Sequence, residues 1–318
     1  MTLAFVTIIS GIALIWISAE KLEKYSVLAA KQFGMSPFLI GSTIIAFGTS
    51  APEMLTTFFV SLENQGTMVI GNVIGSNVAN LSLVFGSMLF VVSMKKQTIS
   101  QPYSINRNLL ILLISSLLVW TIIAIDPFNI NSSVILLITL IAVIFFWYKN
   151  NQEIPEIPEI QEEGNSDNSF IKLILSLVAL VFAAWLITKG ANLILENYNL
   201  GQLFIGYTVL AIGTSLPEIA ASVSLALKSR YEAVAGTLIG SNIFNCLCVL
   251  AIPGLFRSDQ MAKGWEYSDW SSLLVILFTI TLIFCVYIFI LSQKSRKASV
   301  LLSILFLSTY FISLIYAY

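Results

Sequence analysis

The chain has 318 residues, 57% hydrophobic and only 10% charged, with a mean hydropathy of +0.90. That is too little charge to coat a soluble domain of this size, and the apolar segments are too long and too many for core helices, since about 20 apolar residues span a bilayer. The net charge of −1 and the lack of any basic cluster offer nothing to nucleic acid, and the absence of histidine excludes imidazole-bound zinc and a histidine-based triad or proton relay.

Ten hydrophobic spans are expected, at about 2–18, 37–62, 66–92, 109–125, 130–148, 170–188, 201–227, 231–256, 270–292 and 298–316. No basic stretch precedes the first, so it is expected to be a retained helix and not a cleaved leader. The most polar segment, Asn150 to Ser169, is rich in proline and acid and divides the spans five and five. It reads as a solvated linker, too short to hold a folded regulatory domain. The expected units are therefore a first repeat at 1–149, the linker at 150–169 and a second repeat at 170–318.

Lys and Arg in the loops set the orientation. With the N-terminus outside, the inward loops carry Lys21, Lys24, Lys31, Lys95, Lys96, Arg107, Lys149, Lys172, Lys228, Arg230, Lys294, Arg296 and Lys297, and the outward loops only Lys189, Arg257 and Lys263. Both termini are expected outside and the linker in the cytoplasm.

One stretch is written twice. Ala46-Phe47-Gly48-Thr49-Ser50-Ala51-Pro52-Glu53 and Gly71–Asn80 return, 165 residues on, as Ala211-Ile212-Gly213-Thr214-Ser215-Leu216-Pro217-Glu218 and Gly236–Asn245. The shift holds without a gap from 40–80 to 205–245. Five spans per half is an odd number, so the second copy sits upside down relative to the first. Inverted repeats of this kind are a secondary-transporter architecture with the substrate site near the midplane.

Of the 17 acidic residues, only Glu53 and Glu218 lie deep within spans. A carboxylate there is costly, and no Lys or Arg lies deep enough to pair with it, so a bound cation is the expected partner. Pro52 and Pro217 cannot donate to the carbonyls of Gly48 and Gly213, and spans 2 and 7 are expected to break there and expose backbone oxygens. Thr49 shares a helix face with Glu53, and Thr214 with Glu218. Ser76 with Asn80, and Ser241 with Asn245, present oxygens from spans 3 and 8 in the same way. Such a set of carboxylate, hydroxyl and carbonyl oxygens suits Ca²⁺ or Na⁺. Asn77 and Asn242 are expected to bond between helices, and the Gly71-x-x-x-Gly75 and Gly236-x-x-x-Gly240 pairs to allow close helix packing. Cys246, Cys248 and Cys285 lack metal-site spacing and read as packing residues.

Two ionised glutamates give an empty site a charge of about −2, which one Ca²⁺, two Na⁺ or two H⁺ neutralise. Moving the empty site through the membrane interior is unfavourable, so only loaded forms switch sides, and exchange replaces leak.

At these residues the sequence resembles the cation/calcium antiporter superfamily, specifically its prokaryotic sodium/calcium exchangers, whose two alpha repeats carry G-T-S-x-P-E and G-S-N-type stretches. The resemblance implies a ten-helix, all-α membrane fold in the cell membrane of a prokaryote, working without a cofactor and able to act as a monomer. Glu53 and Glu218 would be shared Ca²⁺ and Na⁺ ligands. Thr49 and Thr214 would offer hydroxyl and carbonyl oxygens, Ala46 and Ala211 carbonyls. Ser50, Ser215, Ser76 and Ser241 would serve mainly Na⁺, with Asn80 and Asn245 bordering the centre. Spans 1 and 6 would slide across this core. Potassium-dependent relatives carry aspartate where this chain has Asn245, so asparagine argues against a K⁺ requirement. The expected activity is Na⁺/Ca²⁺ antiport that extrudes Ca²⁺. The alternatives are H⁺/Ca²⁺ antiport and a passive cation channel; an intramembrane hydrolase would need a nucleophile with a base, or aspartates in a G-x-G-D-like setting, and has neither.

Overall fold

The computed structural model describes residues 2–32, 46–94, 105–149, 169–198, 200–227, 231–256, 271–287 and 296–318. The start of the first repeat (40–45), the linker (150–168), the loop cations Lys95, Lys96, Lys228, Arg230, Arg257, Lys263 and Lys294, and the side chain of Pro217 lie outside that description. The described residues are almost all helical, with short turns at 63–65 and 126–129. The helices are α1 (Thr2–Gln32), α2 (Ala46–Leu62), α3 (Gly66–Met94), α4 (Ile105–Ile125), α5 (Ile130–Lys149), α6 (Ser169–Tyr198), α7 (202–227), α8 (231–255), α9 (Ser271–Val286) and α10 (Arg296–Ala317). Six stretches are long and apolar enough to cross a membrane: 66–94, 107–125, 130–149, 174–197, 236–255 and 300–317. Three further apolar helices are shorter, at 2–18, 202–216 and 271–286.

Burial sorts these helices into a centre and a rim. The apolar windows in α3 and α8 are 72% and 83% buried, whereas that in α10 is 28% buried. The rim helices expose large aliphatic side chains such as Ile125, Ile138, Leu175, Leu301 and Ile315. No soluble fold tolerates so broad an apolar coat, but hydrocarbon does.

The two halves interlock. α1 packs most extensively on α6, and α2 packs against α8 as α7 does against α3. α4 and α5 lie against α8, while α9 and α10 lie against α3. Exchanging the halves turns each of these contacts into its counterpart.

The close approach of α3 to α7 depends on three glycines. A Cβ on Gly71 would sit 2.5 Å from the Leu203 carbonyl oxygen, and one on Gly75 would sit 2.7 Å from that of Tyr207 and 2.8 Å from the Ala211 Cβ. A Cβ on Gly206 would strike the Met68 carbonyl oxygen. The expected glycine packing thus holds for the first pair. At Gly236 a Cβ meets nothing within 4 Å among the described residues, and the matching stretch, 38–42, lies outside them.

The expected mid-span breaks are corrected. Pro52 lies inside an unbroken α-helix over Ala46–Leu62. Residues 202–227 are also helical throughout, with a π-helical segment at Gly206–Leu210 between Gln202–Ile205 and Ala211–Leu227. Proline removes one hydrogen bond but need not end a helix whose neighbours hold it from all sides. Two further π-helical segments begin at Asn80 and Asn245, which are 165 residues apart. α2 ends in a paired C-cap: Gln65 N–H donates to the Val60 carbonyl and Asn64 N–H to that of Ser61, with Asn64 at a φ of 60°.

Gly75→Ala is expected to lower stability by about 1–3 kcal/mol, the usual penalty of overpacking against backbone. The midpoint of thermal unfolding in detergent measures it.

Candidate functional site

The repeat motifs meet at the centre of the bundle. Glu53, on α2, and Glu218, on α7, are 0% and 1% exposed. The Ser215 hydroxyl of α7 donates to Glu53 Oε1 at 3.3 Å and so ties the two motif helices together. On the α8 side, Thr49 Oγ1 and Ser241 Oγ are 2.9 Å apart, and the Ser50 hydroxyl donates to the Ser241 carbonyl at 3.5 Å. Thr49 also reaches the Ala46 carbonyl, at 3.2 Å. These bonds make two groups, Glu53 with Ser215 and Ser241 with Thr49, Ser50 and the Ala46 carbonyl, that meet on α2 and span three helices.

The other candidates are buried nearby with fewer bonds. Thr214 donates along its own helix to the carbonyls of Leu210, at 2.9 Å, and Ala211, at 3.4 Å. Ser76, Asn80 and Asn245 are fully buried. Among the described residues, Ser76 Oγ, Glu53 Oε2 and both amide atoms of Asn80 and Asn245 have no hydrogen-bond partner. An unmet buried polar atom costs about 1–3 kcal/mol, so this concentration is a destabilising feature unless a ligand answers it. Both asparagines open π-helical segments, and such segments recur at functional sites because they displace a side chain and loosen the ladder of carbonyls.

The donors fit a hard cation. They are carboxylate, hydroxyl, amide and carbonyl oxygens, with no imidazole in the chain. The thiols are used elsewhere: Cys246 lies 3.8 Å from Asn77 Oδ1, Cys248 is 3.9 Å from Met54 Sδ, and Cys285 is 3.7 Å from the Leu109 carbonyl. No cluster of three or more cysteine or acidic side chains occurs among the described residues, so a site here rests on two carboxylates and many neutral oxygens. The carboxylates supply the charge, and the neutral oxygens supply the further contacts that must replace such an ion's hydration shell.

Two expectations are adjusted. The amides of Asn77 and Asn242 donate within their own helices, each at 2.8 Å, to Val73 and Leu238. Asn77 Oδ1 nevertheless accepts from Cys246 Sγ of α8 at 3.8 Å, so the expected bond between helices is present at Asn77, while the described bond of Asn242 stays within its helix. The polar face of α2 also runs further than the motif: Asn72 Nδ2 of α3 donates to Thr57 Oγ1 at 3.0 Å and approaches Thr56 Oγ1 at 3.4 Å. Ser222, four residues beyond Glu218, is also buried. The four-residue step Thr49, Glu53, Thr57 and its copy Thr214, Glu218, Ser222 was the available signal for these residues.

An oxygen-lined interior in an apolar helical bundle is suited to hold a hard cation inside a membrane. A profile of the family described as "Sodium/calcium exchanger protein" matches residues 3–149 and 168–318, and the chain belongs to that family. It is thus an integral membrane protein and a cation/Ca²⁺ antiporter, and its relatives are transporters that carry Ca²⁺ and Na⁺. The sodium/calcium exchanger MaX1 of Methanosarcina acetivorans is 24% identical over 346 residues, covering 87% of this chain and 97% of that protein. The inner membrane protein YrbG of Escherichia coli is 26% identical over 286 residues, covering 84% of this chain and 85% of YrbG. The solved structure of the sodium-calcium exchanger NCX_Mj soaked with 2.5 mM Na⁺ and 0.1 mM Sr²⁺ matches with a TM-score of 0.69 at 28% identity, over 98% of each chain.

Asn80→Leu removes two unmet polar atoms. It is expected to leave the unfolding midpoint in ion-free detergent unchanged or raised, and to diminish the stabilisation produced by added Ca²⁺. Thermal unfolding with and without Ca²⁺ checks both halves of this expectation.

Proposed function

We propose that the protein exchanges Na⁺ for Ca²⁺ by alternating access and extrudes Ca²⁺ across the plasma membrane of a prokaryote. In this reading ten helices cross the bilayer as two inverted five-helix repeats, 1–149 and 170–318. Both termini lie outside and the 150–169 linker in the cytoplasm. The observation that carries it is the burial of Glu53 and Glu218, in two copies of one motif, among hydroxyl and amide oxygens. Glu53 and Glu218 bind both ions. Thr49 and Thr214, with the carbonyls of Ala46 and Ala211, complete the Ca²⁺ shell. Ser50, Ser76, Ser215 and Ser241 add the neutral oxygens that Na⁺ needs, and Asn80 and Asn245 close the border.

The charge of the site enforces coupling. With both carboxylates ionised it holds about −2, and one Ca²⁺ or two Na⁺ restore neutrality. A third Na⁺ would make the cycle electrogenic. The paired hydroxyls in both repeats favour Na⁺ over H⁺ as the driving ion, because protons on the glutamates would need no such shell.

The test is Ca²⁺ uptake into proteoliposomes loaded with Na⁺ and diluted into Na⁺-free buffer with a protonophore present. Uptake should require internal Na⁺ and survive the protonophore; uptake driven by a pH gradient alone would establish the proton reading. Glu53→Gln and Glu218→Gln should each fold and lose exchange, since removing one partner of a buried ion pair costs about 3–5 kcal/mol, a factor of at least about 100 in binding. Full transport by both variants would remove these residues from the site.

A further inference from the structure

The hydrogen-bond ladder of α7 changes register just before the second motif. At the end of the π-helical segment Gly206–Leu210, the Ala211 N–H donates to the carbonyls of Gly206 and Thr208. The carbonyl between them, that of Tyr207, is the one an α-helix would use for this bond. It accepts instead from the Tyr310 hydroxyl of α10, at 3.1 Å.

Tyr310 is built into this position. Its ring stacks on that of Tyr207, with centroids 5.9 Å apart and planes at 17°. The Tyr207 hydroxyl donates in return to Ser313 Oγ at 2.6 Å, and the Ser313 hydroxyl donates to the Tyr310 carbonyl at 2.6 Å. All three side chains are buried. Gly75 of α3 packs against the same peptide, where an added Cβ would stand 2.9 Å from the Tyr207 Cα. Nearer the start of α7, Phe204 meets Tyr318 edge-on at 5.5 Å. α10 thus holds the first part of α7, and the motif begins where the π-helical segment ends. The matching position in the first repeat is Ser42, so the first copy has no tyrosine there.

We infer that Tyr310 is a positioning residue for cation binding: its hydroxyl keeps the Tyr207 carbonyl from Ala211 and so holds α7 in the register that presents Ala211, Thr214, Ser215 and Glu218 to the centre. Two donors compete for one carbonyl. Were the Ala211 N–H to take it, the extra residue of the π turn would pass into the α-helix. The two parts of α7 would then turn by about 100° and shift by about 1.5 Å relative to each other. A turn of that size would carry Ser215 off Glu53, which it now meets at 3.3 Å. That these residues bind the transported cations rests on the proposed function; the competition for the carbonyl does not.

The experiment compares Tyr310→Phe with Tyr207→Phe, each of which loses one hydroxyl and keeps its ring. The first frees the Tyr207 carbonyl and the second leaves it held. In proteoliposomes, Tyr310→Phe should raise the half-saturating Ca²⁺ concentration about threefold or more, as loss of one buried hydrogen bond allows, with a smaller effect on the maximal rate. Tyr207→Phe should stay close to the native protein. A solved structure of Tyr310→Phe should show the Ala211 N–H bonded to the Tyr207 carbonyl and Gly206–Leu210 as α-helix. Should Tyr310→Phe not fold, Tyr310→Met, which also lacks a donor but fills the space flexibly, takes its place. An unchanged π-helical segment in the variant, a native half-saturating concentration, or equal losses in the two phenylalanine variants would overturn the assignment. Absence of Na⁺-driven uptake by the native chain would count against the exchange reading instead, and the solved structure would still judge the register.

Discussion

A carboxylate buried in an apolar helical bundle is the constraint on which the rest of this structure depends. Glu53 and Glu218 are buried, and no Lys or Arg lies deep in a span to balance them. Their surroundings supply hydroxyls and amides instead, and the energy of a buried ion makes that arrangement sensible only when a cation visits. The features around the pair serve this purpose. The glycines of α3 let α7 approach to backbone distance, which brings Ser215 within reach of Glu53. The π-helical segments at Asn80 and Asn245 set two amides among the unmet polar groups of the interior.

The two halves share a motif but not a set of bonds. Thr49 reaches across to Ser241, while its counterpart Thr214 bonds along its own helix and faces Glu53, and Ser76 has no described partner. Ser215 holds Glu53, while Ser50 approaches the Ser241 carbonyl. One sequence pattern thus supports two arrangements of nearly equal chemistry.

The ion pair of Lys189 with Glu63 joins α6 to the end of α2. It lies at the edge of the centre, half-exposed, where its Coulomb energy is small. Its interest is therefore position: it ties a helix of the second half to the end of α2.

Much of this was legible in the residues. Hydropathy marked the apolar helices, because a bilayer demands a run of about 20 such residues whatever the neighbours do. The doubled motif singled out the glutamates, since buried acids are too costly to occur twice by accident. The short-range rules were less reliable. Pro52 suggested a break, but packing on every side kept the helix continuous. Asn242 suggested a bond between helices, but its amide donates to its own Leu238 carbonyl. The sequence by itself determined the lipid-facing coat, the repeat and the chemical character of the site, all properties of composition and spacing. Only the tertiary structure decided which hydroxyl meets which partner and which oxygens are left unmet. Those outcomes depend on sub-ångström approach between helices distant in the chain, which no local pattern encodes.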